Sequence, residues 1–185
     1  MKILVASILA ALAACSASPV SALASAARVG DTNRIASLIR GGSGPNAPSG
    51  VNSWSPLMHA IHKNQKASVE ALLADGAAAD LASPGGETPL TMAAAYGYAN
   101  IVEALLQGGA SPSSQALDAA LTGANDIDRF TLGQCQTSTV RVLLKNNPGL
   151  RPGISNGERL ARLLKACPEI DEMLRASAVS KTRPH

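Results

Sequence analysis

The chain has 185 residues, of which 46% are hydrophobic and only 2% aromatic, and its formal net charge is +3. A chain of this length is typical of one domain, and so small a charge without a run of basic residues argues against electrostatic binding of nucleic acid. Because there are so few rings, the composition also argues against stacking on bases or sugars.

The first 14 residues are typical of a secretory signal peptide. Met1 and Lys2 precede an apolar run over residues 3–14 that is too short to span a bilayer. The segment Leu12-Ala13-Ala14-Cys15 resembles the bacterial lipobox, and this resemblance implies acylation of Cys15. With Ser16 next to it, we expect a protein anchored to the outer membrane and exposed to the bacterial periplasm.

A second cleavage site stays open as an alternative. Val20-Ser21-Ala22 has the small residues that ordinary signal peptidase prefers. Cleavage after Ala22 would release a soluble periplasmic or secreted product. We favour the lipid anchor, because the later site falls almost at the start of the first repeated unit.

A sequence pattern recurs at a spacing of 33 residues between residues 55 and 110. The matched pairs are Ser55-Pro56-Leu57 with Thr88-Pro89-Leu90, Val69-Glu70-Ala71-Leu72-Leu73 with Val102-Glu103-Ala104-Leu105-Leu106, and Gly76-Ala77 with Gly109-Ala110. A fixed period of this length predicts a solenoid, in which each unit buries its apolar side against its neighbours.

The residues of the repeated unit predict a pair of antiparallel helices. Ser55 and Thr88 are good N-caps, and the proline that follows each loses no helical hydrogen bond in the first turn. Leucine, isoleucine and valine then recur at the i, i+3 and i+4 spacing of a second helix. Gly76 and Gly109 are suited to the left-handed residue that ends a helix.

The segment Gly86-Glu87-Thr88-Pro89-Leu90-Thr91-Met92-Ala93-Ala94-Ala95-Tyr96-Gly97, with the residues that follow it, resembles an ankyrin repeat. One departure is that Thr91, like Met58 in the preceding unit, replaces the histidine that usually links the loop to the next unit. The resemblance implies an all-α ankyrin-repeat solenoid. It also implies a protein that is not an enzyme and that binds a protein partner on its concave face.

Weaker copies of the unit flank the two clear ones, so we predict about four helix-pair repeats and a C-terminal helical cap. The predicted bounds are 22–50, 51–83, 84–112 and 113–150 for the repeats, 156–176 for the cap and 177–185 for a tail. The ankyrin domain would thus cover residues 22–176. Residues 124–137 have no counterpart in the other repeats and are an insertion in the fourth.

The cysteines predict one disulfide. If Cys15 is acylated or removed, Cys135 and Cys167 remain as a pair in an oxidising compartment. Each comes just before the second helix of its unit, and equivalent positions of adjacent stacked units are neighbours. Two separate thiols are the alternative.

The sequence lacks a convincing catalytic or metal-binding motif, so we expect no catalytic residue, no metal and no cofactor. His59 and His62 are three residues apart but lack an evident third ligand. Asp126 and Asp128 lack the glycine and the distal glutamate of a calcium loop. The alternative of a ligand-binding or catalytic site would place it in the insertion, with Arg129 and Phe130 beside these aspartates.

The family's usual contact positions, transferred to this chain, give a set of candidate partner-binding residues. They are Arg28, Val29, Asn52, Trp54, His62, Lys63, Glu87, Ala95, Tyr96, Leu121 and Thr122. Trp54 has two interpretations: an exposed indole that anchors a partner, or a ring that folds back as local packing of its hairpin.

The function that these observations favour is a protein-binding module of the bacterial cell envelope, without nucleic acid or small-molecule substrate. A narrower hypothesis is an immunity or inhibitor protein that neutralises a periplasmic toxin or hydrolase. A purely structural envelope lipoprotein is a further alternative.

Overall fold

The structure is a computed structural model, and it describes residues 21–123, 135–154 and 157–180. These residues form ten α-helices and no strand, apart from an isolated antiparallel bridge between Ser49 and Trp54. The helices are α1 Ala22–Val29, α2 Thr32–Arg40, α3 Pro56–His62, α4 Lys66–Ala74, α5 Pro89–Ala95, α6 Ala99–Gln107, α7 Ser114–Thr122, α8 Thr137–Asn146, α9 Gly157–Ala166 and α10 Pro168–Ser180.

The helices stack in two layers. The first helices of successive pairs, α1, α3, α5 and α7, pack against one another in order, and so do the second helices, α2, α4, α6 and α8. The cap continues the second layer, because α10 packs on α8 while α9 packs on α10. The predicted all-α stack of four helix pairs with a helical cap is therefore confirmed. Its last helix runs to Ser180, four residues beyond the predicted end of the cap.

Serine or threonine is the N-cap residue just before each first helix of the four repeats, as predicted for Ser55 and Thr88. The Ser55 hydroxyl accepts a hydrogen bond from the Met58 amide at 3.3 Å, and Thr88 accepts one from the Thr91 amide at 3.1 Å. Ser21 and Ser113 cap α1 and α7 in the same way. These side chains satisfy amide groups that have no partner within their own helix.

Small residues let the first helices approach one another closely. Ala60, Ala93 and Ala94 are fully buried between the layers. The second helices contribute larger side chains, of which Leu72 and Leu105 are also fully buried. Gly76 and Gly109 follow α4 and α6 with φ of +89° and +93°, the left-handed conformation predicted for these positions.

Side-chain hydrogen bonds join the loops of adjacent repeats. The Asn46 side chain accepts from the Ala78 amide at 2.8 Å. Asp80 accepts from both the amide and the hydroxyl of Ser111, at 3.0 and 2.8 Å. Each bond therefore joins a loop to the next one along the stack, and holds the units in register.

The C-terminal end carries the one disulfide of the described residues. Cys135 and Cys167 are bonded, with their Cα atoms 5.7 Å apart, so the pairing predicted from the sequence is present. The bridge ties the start of α8 to the start of α10.

The predicted signal peptide with Cys15 lies outside the described residues, as do residues 124–134 of the insertion. Among the described helices, none has the length and apolar character needed to cross a membrane.

Candidate interaction surface

Four rings from repeats 2 and 3 form a continuous row, which we call the aromatic row. Trp54 contacts His62 with ring centroids 5.2 Å apart, and His62 contacts Tyr96 at 5.8 Å. Tyr96 stacks on Tyr98 at 5.4 Å, with an angle of 16° between the ring planes. The spacing of the repeats explains the alignment, since His62 and Tyr96 lie near the ends of adjacent first helices.

Trp54 combines features of both interpretations of its ring. Its backbone pairs with Ser49, whose amide donates to the Trp54 carbonyl at 2.9 Å. The indole folds back over α3 against His59, at 5.7 Å, as well as His62. The side chain is only half-buried, so part of the indole packs on its own repeat and part remains accessible.

His59 connects the hairpin to α3. Its Nε2 lies 3.2 Å from the Ser49 carbonyl oxygen and 3.4 Å from the Ser49 hydroxyl. Burial lowers the pKa of His59, and the nearby positive charge of Arg28 and the ring of His62 act in the same direction, while the bond to Ser49 opposes them. A neutral imidazole that donates from Nε2 to the carbonyl satisfies these contacts.

The position of His59 explains how the hairpin is held although Met58 replaces the usual histidine. Met58 is buried in the core, and the loop contact comes from the residue after it. In repeat 3 the corresponding threonine, Thr91, forms a hydrogen bond of 2.8 Å with the hydroxyl of Thr88. Thus the two clear repeats replace the same histidine in different ways.

The structure buries three of the predicted contact residues. Tyr96 is 8% exposed, Ala95 7% and Leu121 7%. The Tyr96 hydroxyl lies 3.0 Å from Nδ1 of His62, so this buried tyrosine holds the His62 ring within the aromatic row. Trp54 is half-buried and is therefore the more accessible ring of Trp54 and Tyr96.

The other predicted contact residues are more accessible. Val29, Asn52 and Lys63 are exposed. The remaining ones are half-buried: Arg28, Trp54, His62, Glu87 and Thr122. The predicted set is thus divided between residues on the surface and residues that form its floor.

Tyr98, His59 and Val51 are not among the family's contact positions, yet Tyr98 belongs to the aromatic row, His59 contacts it and Val51 is exposed in the hairpin before it. Tyr98 precedes α6, where Gln65 and Gln136 precede the second helices of neighbouring repeats. The aromatic residue that replaces glutamine at this position is the sequence signal that could have identified Tyr98. Burial raises the pKa of the Tyr98 hydroxyl.

Repeat 1 extends the surface past Trp54. Arg28 lies in the last turn of α1, and α1 packs against α3. Immediately after α1, Gly30 approaches Gln65 so closely that a Cβ on the glycine would lie 2.7 Å from the Gln65 Oε1 atom. The ends of α1 and α3 are therefore side by side, and Val29 next to Arg28 is 73% exposed.

Cavities border the stack among the described residues, and two of them adjoin the loops and the aromatic row. One of about 490 Å³ lies between loops, and Asn46, Pro48 and residues 81–84 contribute to its walls. The other, of about 220 Å³, lies beside Tyr96 and Gly97 and is completed by residues 135–139.

The described residues contain no group of three or more potential metal-ligating side chains. The aspartates of the alternative site, Asp126 and Asp128, lie with Arg129 and Phe130 outside the described residues.

Comparison with known families gives a match to ankyrin repeats. The family model for ankyrin repeats, in three copies, covers residues 23–116, which are 94 of the 185 residues of the chain. A search of curated proteins found no match to the chain. The matched range includes repeats 1 to 3 and with them the whole aromatic row.

Proposed function

We propose that this chain, which belongs to the ankyrin repeat family, holds a partner protein on the surface formed by the aromatic row and the end of α1. Ankyrin repeats are protein–protein interaction modules, and that general role applies to this chain. The proposal adds where the partner binds and where in the cell this happens. The family's usual role as a binding module also argues against catalysis.

The observation that carries the proposal is the concentration of rings. Trp54, Tyr96 and Tyr98 are the only aromatic residues of the described chain, and all three lie in one row. Tryptophan and tyrosine are the residue types most enriched among those that dominate binding energy at protein interfaces. Because the hydrogen bond between His62 and Tyr96 fixes the floor, the surface is largely formed before a partner arrives.

A photo-crosslinking experiment tests the location of the surface. A photoreactive phenylalanine at Asn52, which is exposed in the hairpin before Trp54, should capture a partner in the native host. The matched control places the same group at Glu103, which is exposed on α6. Capture from Glu103 and not from Asn52 would contradict the proposed surface.

The captured partner then allows a quantitative test of Trp54. We expect Trp54→Ala to weaken binding by about 2 kcal/mol, since truncation of a central aromatic anchor typically has an effect of this size. Leu81→Ala is the control, because Leu81 is an exposed apolar residue outside the row. Unchanged affinity of Trp54→Ala in a folded protein would remove the row from the binding site.

We further propose that the protein acts in the bacterial cell envelope, anchored by a lipid at Cys15. The signal-like first 14 residues and the disulfide both support an oxidising compartment outside the cytoplasm. Cleavage after Ala22 would remove the Ser21 cap of α1 and place a charged terminus at Leu23, which is 2% exposed. This favours the earlier site.

Fractionation of the native host tests the anchor. The wild-type chain should sediment with membranes, and Cys15→Ser should not. Cys135→Ser is the control that keeps Cys15. An intact mass that begins at Leu23 would establish the soluble form instead.

A further inference from the structure

The charges around the aromatic row are unequal in sign. Arg28 lies in the last turn of α1 and Lys63 directly follows α3, so both belong to repeats 1 and 2. Three helices, α1, α3 and α5, and the hairpin residues 50–55 and 83–88 form this side of repeats 1 to 3. Glu87 is the one acidic residue among them. Lys63 is exposed and Arg28 half-buried, and the acidic residue that follows α1, Asp31, accepts a hydrogen bond from the Arg34 amide at the start of α2.

Several other acidic side chains of the repeats serve in contacts within the stack. Glu70 pairs with Lys66 on α4. Asp80 accepts two bonds from Ser111, and Asp118 accepts from the Gly153 amide at 2.9 Å. These carboxylates lie on the second helix of repeat 2, in a loop and at the contact with the C-terminal end, so they do not neutralise Arg28 and Lys63.

Repeats 1 and 2 also expose apolar side chains near the ends of their first helices and in the hairpin before α3. Val29 is 73% exposed beside Arg28, and Val51 is 86% exposed in the hairpin that leads to Trp54. With Leu81, they are the exposed large hydrophobic residues of the described chain. An apolar side chain of a partner that covers Val29 and the accessible part of Trp54 would remove this surface from water.

We propose that the partner contributes an acidic segment with an aliphatic or aromatic side chain between its carboxylates. The carboxylates pair with Arg28 and Lys63, and the apolar side chain packs on Trp54 and Val29. This inference rests on the proposed function, since it names the chemistry of the partner for the same surface. Complementary charge of this kind raises the rate of association and makes affinity depend on salt.

Two short synthetic peptides provide the first test, one alternating Glu with Leu and one alternating Lys with Leu. Fluorescence anisotropy should show binding of the Glu peptide that weakens as salt rises from about 20 mM to about 300 mM. The Lys peptide should bind at least about tenfold more weakly. Equal affinity of the two peptides, or no binding of the Glu peptide at about 1 mM, would overturn the inference.

Charge reversal locates the contact. Arg28→Glu with Lys63→Glu should weaken the Glu peptide at least about tenfold. The matched control is Arg34→Glu with Arg141→Glu, which makes the same change of charge at exposed positions on α2 and α8. An equal loss in both pairs would show a response to net charge alone and would overturn the inference. Tighter binding of a single-stranded DNA oligonucleotide than of the Glu peptide would do the same.

The captured partner separates this inference from the proposed function. If Asn52 captures a partner whose affinity is unchanged by Arg28→Glu with Lys63→Glu, the surface is right and the acidic chemistry is wrong. If the partner is captured only from Glu103, the proposed surface itself is wrong.

Discussion

In repeats 2 and 3 the large apolar side chains are fully buried, whereas in the cap most of them are only half-buried. Leu57, Leu90 and Leu105 are at most 1% exposed. In α9 and α10, Ile170 reaches that level, but Leu163 and Leu174 do not, although they pack against the core. The difference follows from position, because repeats 2 and 3 have neighbours on both sides and the cap has one.

The two regions therefore depend on different interactions. Repeats 2 and 3 are stabilised by packing and by the loop bond of Asp80, in agreement with a solenoid whose stability comes from contacts between neighbours. The C-terminal end adds a covalent bond between Cys135 and Cys167. A disulfide restricts the unfolded chain, and so it stabilises a unit whose own apolar burial is incomplete.

The largest effect should come from truncation in the middle of the stack. We expect Leu105→Ala to lower the free energy of unfolding by about 3–5 kcal/mol, because it leaves a cavity between two packed neighbours. Leu163→Ala in the cap should lower it by about 1–2 kcal/mol, since that side chain is already half in water. Chemical denaturation measures both, and equal losses would break the contrast between the regions.

The next effect concerns the disulfide. Replacing Cys135 and Cys167 with serine should lower stability by about 2–4 kcal/mol. Amide hydrogen exchange should show the change in α8 to α10, with repeats 2 and 3 still protected. Cys15→Ser is the control that removes a cysteine outside the bridge. Faster exchange throughout α3 to α6 would show that the cap controls the whole stack.

A smaller effect is expected at the junction of the two regions. Gly97 has a φ of +73°, and a Cβ there would lie 3.1 Å from the Gln136 side chain, whose Nε2 donates to the Ala95 carbonyl. Gly97→Ala should therefore lower stability by more than the roughly 1 kcal/mol of left-handed strain alone. Gly76→Ala is the matched control, because its φ is +89° and a Cβ there meets nothing within 4 Å. Thermal denaturation measures how much more stability Gly97→Ala loses than Gly76→Ala. Combining Gly97→Ala with Gln136→Ala should reduce that extra loss.

The smallest effect is a pH dependence confined to repeat 2. Because the pKa of His59 is lowered in the folded state, the unfolded chain binds its proton more readily. Stability from this group is present above its ordinary pKa of 6.5 and is lost as the pH falls through the lower folded value. His59→Gln should flatten the fall in stability below pH 6.5 in denaturation curves, relative to wild type. If the free energy of unfolding falls equally steeply with pH in His59→Gln, groups other than His59 cause the fall.

The periodic features of the fold could be predicted from the sequence. The 33-residue spacing, the Ser55 and Thr88 caps and the left-handed Gly76 and Gly109 are local signals, and each reappears in the structure. The disulfide could be predicted because stacking makes equivalent positions of adjacent units neighbours.

The details of the surface were harder to predict because side-chain orientation depends on tertiary contacts. Family positions placed Tyr96 on the surface, but its hydroxyl turns towards His62 and the ring is buried. The sequence offers His59 only as a candidate metal ligand, because nothing local in it indicates that the His59 ring reaches back to Ser49. Tyr98 joins the row through stacking across a turn, which no helical period reports.

The disulfide also determines how the chain would respond to mechanical force. It spans 32 residues, which correspond to about 110 Å of extended chain that cannot lengthen while the bond is intact. Tension applied between the two ends of the stack would therefore draw out length only outside this loop, from α1 to α7 and from α10. If the lipid at Cys15 fixes the N-terminus to a membrane, repeat 1 bears the load next to the tether, whereas α8 and α9 lie within the loop and bear none of it.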